Sequence, residues 1–205
     1  MKGRIEMLSQ EDAVQTAKDL GIPEQVGGLN IFRTLFHRPK TAKAINDLLF
    51  SLLFESEIGH RRRELIIMRI GWTTGSEYEW TQHWPISVQM FDCTQEEILA
   101  LRGDWASATC FDEVDRAILS AVDQLLETGD LRDETWQTCF DGLGRDAAID
   151  MVTALGTWSL ISKVARGLRV PLEDGVVGWP PDGEVPPVGS VPGPAGALHR
   201  SKPPV

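Results

Sequence analysis

Residues 61–93 read RRRELIIMRIGWTTGSEYEWTQHWPISVQMFDC, and this stretch decides both the fold class and the location of the candidate site. Its apolar residues recur at intervals of three and four, which favours helices over strands. The pattern predicts one helix over about 60–72 and a second over about 76–91. The stretch also carries many polar residues for a segment whose start is so apolar, and these residues are the candidates for a functional site.

The same helical spacing extends through the rest of the chain as far as residue 170. No Asn-Gly or Asp-Gly hairpin signal lies between β-branched runs, so the sequence predicts an all-α fold. The nine predicted helices lie at about 9–20, 29–36, 41–54, 60–72, 76–91, 94–102, 112–128, 133–140 and 145–168.

A change in composition at residue 170 predicts a helical domain over 1–170 and an irregular tail over 171–205. The tail holds nine of the chain's twelve prolines and six glycines, and proline lacks the amide donor that helices and inner strands need. Composition favours a disordered, solubilising tail. The alternative is an arm that lies on a neighbouring subunit, since the tail includes Val176, Val177 and Trp179.

The charge distribution limits the possible partners. The 205 residues carry a net charge of −10, and residues 92–150 hold fifteen acidic and four basic side chains. Because nucleic-acid affinity depends on clustered Lys and Arg, we expect no nucleic-acid partner. Three well separated cysteines and a charged N-terminal region without a long apolar stretch predict a cytoplasmic protein that does not enter a membrane.

The second helix of the opening stretch carries a possible acid-base group. Ser76, Glu79 and His83 share one face at i, i+3 and i+7. A carboxylate one turn from an imidazole favours the imidazolium and raises its pKa, whereas burial favours the neutral ring and lowers it. Because the two effects oppose each other, we expect the pKa of His83 to lie near neutrality. This is what a general acid or base requires. The alternative is a solvated surface pair.

The stretch resembles the carboxymuconolactone decarboxylase family, whose wider superfamily includes the AhpD-like alkylhydroperoxidases. The resemblance rests on Arg63-Glu64-Leu65, on Tyr78-Glu79-Trp80-x-x-His83, and on residues 94–98, TQEEI. It implies an AhpD-like helical bundle that forms homo-oligomers, as dimers, trimers or hexamers. It also implies an active site near a subunit interface that takes a small-molecule substrate and needs neither a cofactor nor a metal.

The chain departs from the peroxidase branch of that superfamily at two positions. That branch is similar to a Glu, eleven residues, and then Cys-x-x-Cys-x-x-x-His; here Glu64 is followed after eleven residues by Ser76-x-x-Glu79-x-x-x-His83. A hydroxyl and a carboxylate cannot run the thiolate and disulfide cycle of peroxide reduction. Hydroperoxide reduction therefore remains an alternative only through an atypical thiol, Cys93.

The resemblance to the decarboxylase branch implies roles for the remaining acid-base groups. Decarboxylation or proton transfer on an unsaturated lactone, enol-acid or related natural-product intermediate needs a proton donor and a stabilised dienolate. His83 is the expected proton donor or shuttle, and Glu64 is the partner that orients or recharges it. Glu79 either tunes the imidazole or acts as a second base. A non-catalytic helical binding or scaffold protein is the other alternative.

Four further residues are predicted to bind the substrate. Arg63 is expected to clamp a substrate carboxylate, with an ion-pair anchor between helices as the alternative. Ser76 shares the face of Glu79 and His83. Tyr78 and Trp80 are expected to wall a pocket for a flat ligand, with core packing as the alternative.

A metal site is weighed because carboxylates and an imidazole come together in this stretch. Di-iron bundles use Glu-x-x-His on each of two helices. This chain has a single Glu-x-x-x-His, and no metal is expected.

Overall fold

The computed structural model describes residues 3–187, which are all-helical and contain no strand, as the periodicity predicted. None of the helices in this range is long and apolar enough to cross a membrane. The ten α-helices of this range are α1 Gln10–Asp19, α2 Glu24–Gly27, α3 Asn30–Leu35, α4 Pro39–Phe54, α5 His60–Thr74, α6 Glu77–Met90, α7 Gln95–Ala100, α8 Glu113–Thr128, α9 Asp133–Leu143 and α10 Arg145–Leu168.

All nine predicted helices are present, with ends that differ by a few residues. Helix α2 was not predicted, because four residues are too few to show a period. Helix α5 runs two residues beyond its predicted end and stops where Gly75 adopts a left-handed conformation, with φ at 67°. The capping box predicted at Thr94 and Glu97 begins α7.

Helix α5 is the centre of the molecule. It packs against α6, α8 and α10, and all its side chains from Leu65 to Met68 are fully buried. Because α5 is covered on every side, it is apolar around most of its circumference, and the polar groups it carries inward are desolvated.

Helices α5 and α6 form an antiparallel pair joined by Gly75 and Ser76. The two backbones approach closely at Gly71, where a Cβ atom would lie 3.2 Å from the backbone nitrogen of Trp80. This approach brings the first turns of α5 opposite the last turns of α6, and it therefore sets which side chains of the two helices meet.

Residues 171–187 pack on the helical body rather than extending away from it. The Trp179 side chain is buried, and its ring lies edge-on to Trp72 at 5.8 Å between centroids. Its backbone nitrogen donates to Thr81 Oγ1 at 3.1 Å. The expectation of a disordered tail is thus wrong for this segment, because a buried indole anchors it. Residues 188–205 lie outside the described part, and the domain division at residue 170 stays a prediction.

Candidate active site

The antiparallel α5–α6 pair brings together the acid-base residues that the sequence placed on separate helices. Glu64, in the second turn of α5, lies opposite His83 and Ser87, which are one turn apart on α6. Nineteen positions separate Glu64 from His83 along the chain, and their side chains are in direct contact.

Glu64 is a fully buried carboxylate with donors on both oxygens. Its Oε2 accepts from His83 Nδ1 at 2.9 Å and from Ser87 Oγ at 3.1 Å, and its Oε1 accepts from Arg63 Nη2 at 3.1 Å. Burial raises the pKa of Glu64, but His83 and Arg63 outweigh burial and leave this pKa below its ordinary value. Glu64 is therefore the ionised partner that orients the imidazole.

His83 presents its two ring nitrogens to two different carboxylates. Because Nδ1 donates to Glu64, a neutral ring carries its lone pair on Nε2, which lies 3.9 Å from Glu79 Oε2. Burial lowers the pKa of His83, but Glu64 and Glu79 together raise it above its ordinary value. The side chain is 14% exposed.

Glu79 differs from Glu64 in having no hydrogen-bond partner among the described residues. Its side chain is 5% exposed. Burial, with a smaller contribution from the charge of Glu64, raises its pKa to about 6, although His83 opposes the shift. The pKa values of the two carboxyl groups beside His83 are thus shifted in opposite directions, which is typical of an acid-base site.

Arg63 does not have the free guanidinium that a substrate clamp requires. It is 2% exposed, and its Nη1 donates to the carbonyl oxygen of Leu53 at 2.7 Å and lies 2.9 Å from His60 Nδ1. Its Nε and Nη2 both face Glu64. The guanidinium is thus engaged by Glu64 and His60 of its own helix and by the end of α4, and these contacts match neither a free clamp nor an ion pair between helices.

The other two arginines of the run also bind acidic residues of this chain. Arg61 contacts Glu97 and Asp115, and Arg62 contacts Asp112 and Asp115. These contacts join the start of α5 to the starts of α7 and α8, and the side chains point away from His83.

Ser76 lies on the predicted face but contacts none of the acid-base groups. It is the N-cap residue of α6, and its Oγ is fully buried without a hydrogen-bond partner in the described part of the chain. Its assignment to substrate binding stays a prediction.

Tyr78 and Trp80 lie on other faces of α6 and do not wall this site. Tyr78 donates to Glu173 Oε1 at 2.7 Å and packs with Phe32 and Ile161. Trp80 donates from Nε1 to the carbonyl oxygen of Pro180 at 2.8 Å and is fully buried. Core packing, the alternative weighed from the sequence, describes both residues. Trp80 and Tyr78 precede His83 by three and five residues, and this spacing does not indicate which segment of the chain each side chain contacts.

Ser87 is a site residue that the sequence interpretation missed. It is fully buried, and besides Glu64 its hydroxyl reaches the carbonyl oxygen of His83 at 2.8 Å. Its position one turn after His83 on α6 was a usable signal, since i and i+4 residues share a helix face.

The cysteines offer no activated thiol. Cys93 is buried, and burial raises its pKa to about 12; burial likewise raises the pKa of Cys139 to about 11. Within residues 3–187, no group of three or more His, Cys, Asp or Glu side chains is arranged to hold a metal ion.

The protein is a helical bundle in which a buried Glu–His pair lies between two antiparallel helices. The sequence model of the carboxymuconolactone decarboxylase family matches residues 39–124, which include α5 and α6. This segment is similar to that family, in agreement with the resemblance found in the sequence, and the chain has an AhpD-like fold.

Solved structures show the same fold at low sequence identity. An uncharacterized peroxidase-related protein from Ralstonia eutropha JMP134, described as an alkylhydroperoxidase AhpD core, is 15% identical, with a TM-score of 0.65 over 84% of this chain and 93% of that one. A peroxidase-related protein from Silicibacter sp. TM1040 is 14% identical, with a TM-score of 0.66 over 84% and 90%.

The debrominase Bmp8 is a further structural relative. In its apo form it is 18% identical, with a TM-score of 0.65 over 82% of this chain and 91% of that one. Another structure of that debrominase contains 2,3,4-tribromopyrrole. A comparison with curated proteins gives no match.

Proposed function

We propose that the protein is a cofactor-independent lyase or isomerase of the carboxymuconolactone decarboxylase type. Its reaction is decarboxylation or proton transfer on an unsaturated lactone, enol-acid or related carbonyl compound. The observation that carries this proposal is the buried ion pair in which Glu64 holds His83 Nδ1 at 2.9 Å, with His83 Nε2 facing Glu79 at 3.9 Å.

The pair supplies the proton that such reactions require. In a decarboxylation, the bond to the carboxyl carbon breaks, its electrons move into the conjugated carbonyl, and CO2 leaves. The imidazolium of His83 then gives its Nε2 proton to the carbanionic carbon, and solvent restores that proton. Glu64 stays ionised throughout, because its donors stabilise the carboxylate.

The test is the substitution His83→Gln, which keeps a polar side chain and removes the titrating group. We expect turnover of carboxymuconolactone or of an unsaturated lactone to fall by about 10²- to 10⁴-fold. The matched control is His37→Gln, because His37 is exposed and its ring contacts the carbonyl oxygen of Glu6 and not a residue of the site. Absorbance of the conjugated product and release of CO2 are measured for both variants. Equal turnover in His83→Gln and the wild type contradicts the proposal.

The thiol alternative predicts a different result. The substitution Cys93→Ser abolishes any hydroperoxide reduction that uses this buried thiol, whereas proton transfer by His83 survives it. The raised pKa of Cys93 opposes thiolate formation and favours the second outcome. A non-catalytic protein, in contrast, binds its ligand equally well after substitution of both Glu64 and His83.

We also propose that the protein is a homo-oligomer. An apolar surface on α4 and α10 supports this, with Leu48 42% and Leu160 48% exposed. These two residues border a shallow cavity of about 370 Å³ between the helices. Apolar patches of this kind are typical of protein interfaces, and light scattering in solution measures the subunit number.

A further inference from the structure

Ser87 places its hydroxyl within reach of both members of the acid-base pair. Its Oγ lies 3.1 Å from Glu64 Oε2 on α5 and 2.8 Å from the carbonyl oxygen of His83, one turn earlier on α6. The side chain is fully buried, as is that of Glu64. The hydroxyl therefore belongs to the interior of the site and not to the surface of the helix.

The hydroxyl of Ser87 carries one proton but has two possible acceptors. The carbonyl oxygen of His83 is neutral, although it lies slightly nearer, whereas the groups around Glu64 keep its carboxylate ionised. A hydrogen bond to an ionised acceptor is about twice as strong as one to a neutral acceptor. The proton of Ser87 is accordingly donated to Glu64 Oε2, the oxygen that also accepts from His83 Nδ1.

The carboxylate of Glu64 then has every acceptor position filled. Its Oε1 faces Nε and Nη2 of Arg63, at 3.3 and 3.1 Å, and its Oε2 faces His83 and Ser87, at 2.9 and 3.1 Å. A carboxylate offers about four such positions. Each donor lowers the proton affinity of the carboxylate, so Ser87 reduces the pull of Oε2 on the proton that His83 holds at Nδ1.

The charged groups that face His83, among the described residues, come from the two helices of the pair. Helix α5 contributes Glu64 and Arg63, and α6 contributes Glu79, whose Oε2 lies 3.9 Å from His83 Nε2. Helix α10 contributes the edge of the Trp158 ring, at 6.3 Å between ring centroids. Removal of the Ser87 hydroxyl changes none of these charges, so a resulting change at His83 reports the lost hydrogen bond.

We propose that Ser87 is a positioning residue that fixes the Glu64 carboxylate and limits its pull on the Nδ1 proton of His83. It acts through Glu64 and does not itself transfer a proton. The inference concerns the acid-base pair of the proposed function, and it rests on that function for its kinetic consequence alone.

The test is Ser87→Ala, studied by NMR of protein labelled with 15N at histidine. The Nδ1–H resonance and the pKa of His83 are measured directly, and His83→Gln assigns both signals by their loss. Ser162→Ala is the matched control, because Ser162 is also a fully buried helical serine but its Oγ has no hydrogen-bond partner in the described part of the chain.

In Ser87→Ala we expect the Nδ1–H resonance to move downfield and the pKa of His83 to rise by about 0.5 to 1, the equivalent of one hydrogen bond. Solvent does not supply the missing donor, because both side chains are fully buried. Ser87→Cys places a weaker donor at the same position, and we expect a smaller change in the same direction. Ser162→Ala is expected to retain the wild-type values.

The turnover of an unsaturated lactone measures the kinetic consequence. A proton donor with a raised pKa stays protonated to higher pH, so the alkaline limb of the pH profile of Ser87→Ala is expected to move upward with the pKa of His83. A merely structural defect lowers turnover at every pH and leaves the position of that limb unchanged.

The NMR comparison decides the inference independently of the proposed function. An unchanged or lowered pKa of His83 in both Ser87 variants overturns the inference, and it indicates that the hydroxyl donates to the carbonyl oxygen of His83 instead. An equal change in Ser162→Ala also overturns it, because the effect is then not specific to the Glu64 hydrogen bond. Absence of turnover in the wild type contradicts the proposed function and leaves the role of Ser87 to the NMR result.

Discussion

Glu64 and Glu79 lie at the two ends of one imidazole, and their pKa values are shifted in opposite directions. Glu64 accepts hydrogen bonds from His83, Ser87 and Arg63, and these donors stabilise its charge. Glu79 is almost as deeply buried but has no such donor among the described residues, so burial dominates and raises its pKa to about 6. The hydrogen-bond donors around each carboxyl group, and not the degree of burial, decide the direction in which its pKa is shifted.

The raised pKa of Glu79 predicts that Glu79→Gln stabilises the protein at neutral pH. Between about pH 4.5 and 6 the native state binds more protons at this position than the unfolded state, so wild-type stability falls as pH rises through that window. Above pH 6 the buried charge costs about 1–2 kcal/mol, which Gln does not incur. Urea denaturation at pH 4 and pH 8 measures the free energy of unfolding of Glu79→Gln and of the wild type. We expect the two proteins to differ at pH 8 only.

Glu77→Gln is the matched control for this measurement. Glu77 is exposed in the first turn of the same helix, and surface substitutions change stability by no more than about 0.5 kcal/mol. A Glu79→Gln variant that is less stable than the wild type at pH 8 contradicts the argument that this carboxyl group is uncompensated.

At the scale of helices, the site depends on how closely α5 approaches α6. Gly71 allows that approach, because a Cβ atom there would lie 3.2 Å from the Trp80 nitrogen and 3.5 Å from its Cα. Both are backbone atoms and cannot rotate away. Glu79 and Trp80 are adjacent on α6, so any widening of the helix pair at this point also moves the carboxyl group that faces His83.

Gly71→Ala is therefore expected to destabilise the protein by about 1–3 kcal/mol, the usual effect of overpacking. Gly156→Ala is the matched control, because Gly156 is also inside a helix but a Cβ atom added there would meet no described atom within 4 Å. There the gain in helix propensity predicts a change of about 0.5–1 kcal/mol in the stabilising direction. Thermal unfolding of both variants measures these effects, and equal transition temperatures for the two contradict the prediction.

At the scale of the whole molecule, residues 171–187 act as a clasp across α6 and the loop after α7. Glu173 accepts from the Tyr78 hydroxyl and from the Asn30 nitrogen, which lies 3.0 Å away. Arg102 binds Asp182 at 2.8 Å, and its guanidinium stacks over the Trp72 and Trp80 rings at about 5 Å. These contacts hold the first half of α6 and Trp72 of α5.

Trp179→Ala is expected to remove the main apolar anchor of this clasp and to cost about 3–5 kcal/mol, the usual range for a buried Trp. Val177→Ala serves as the control on the same segment, because Val177 is 82% exposed and contributes little burial. Denaturant titrations compare the free energies of unfolding. A loss below about 1 kcal/mol in Trp179→Ala shows that the clasp does not contribute to global stability.

The sequence alone determined the features that depend on spacing along one helix. The all-α fold, the nine longer helices and the common face of Glu79 and His83 follow from a period of 3.6 residues, which is a local property of the backbone. The Glu64–His83 pair was expected from the family resemblance. Ser87 carried the same local signal at one turn from His83 but was not recognised.

Only the tertiary structure decided which face of each helix meets which partner. Arg63 turned inward to Glu64 because α5 is covered on all sides, and a buried guanidinium must bind an anion. Tyr78 and Trp80 face the N-terminal helices and the 171–187 clasp, whose positions result from contacts far apart in the chain. Helical periodicity states which side chains share a face, but the packing of distant segments settles what lies opposite that face.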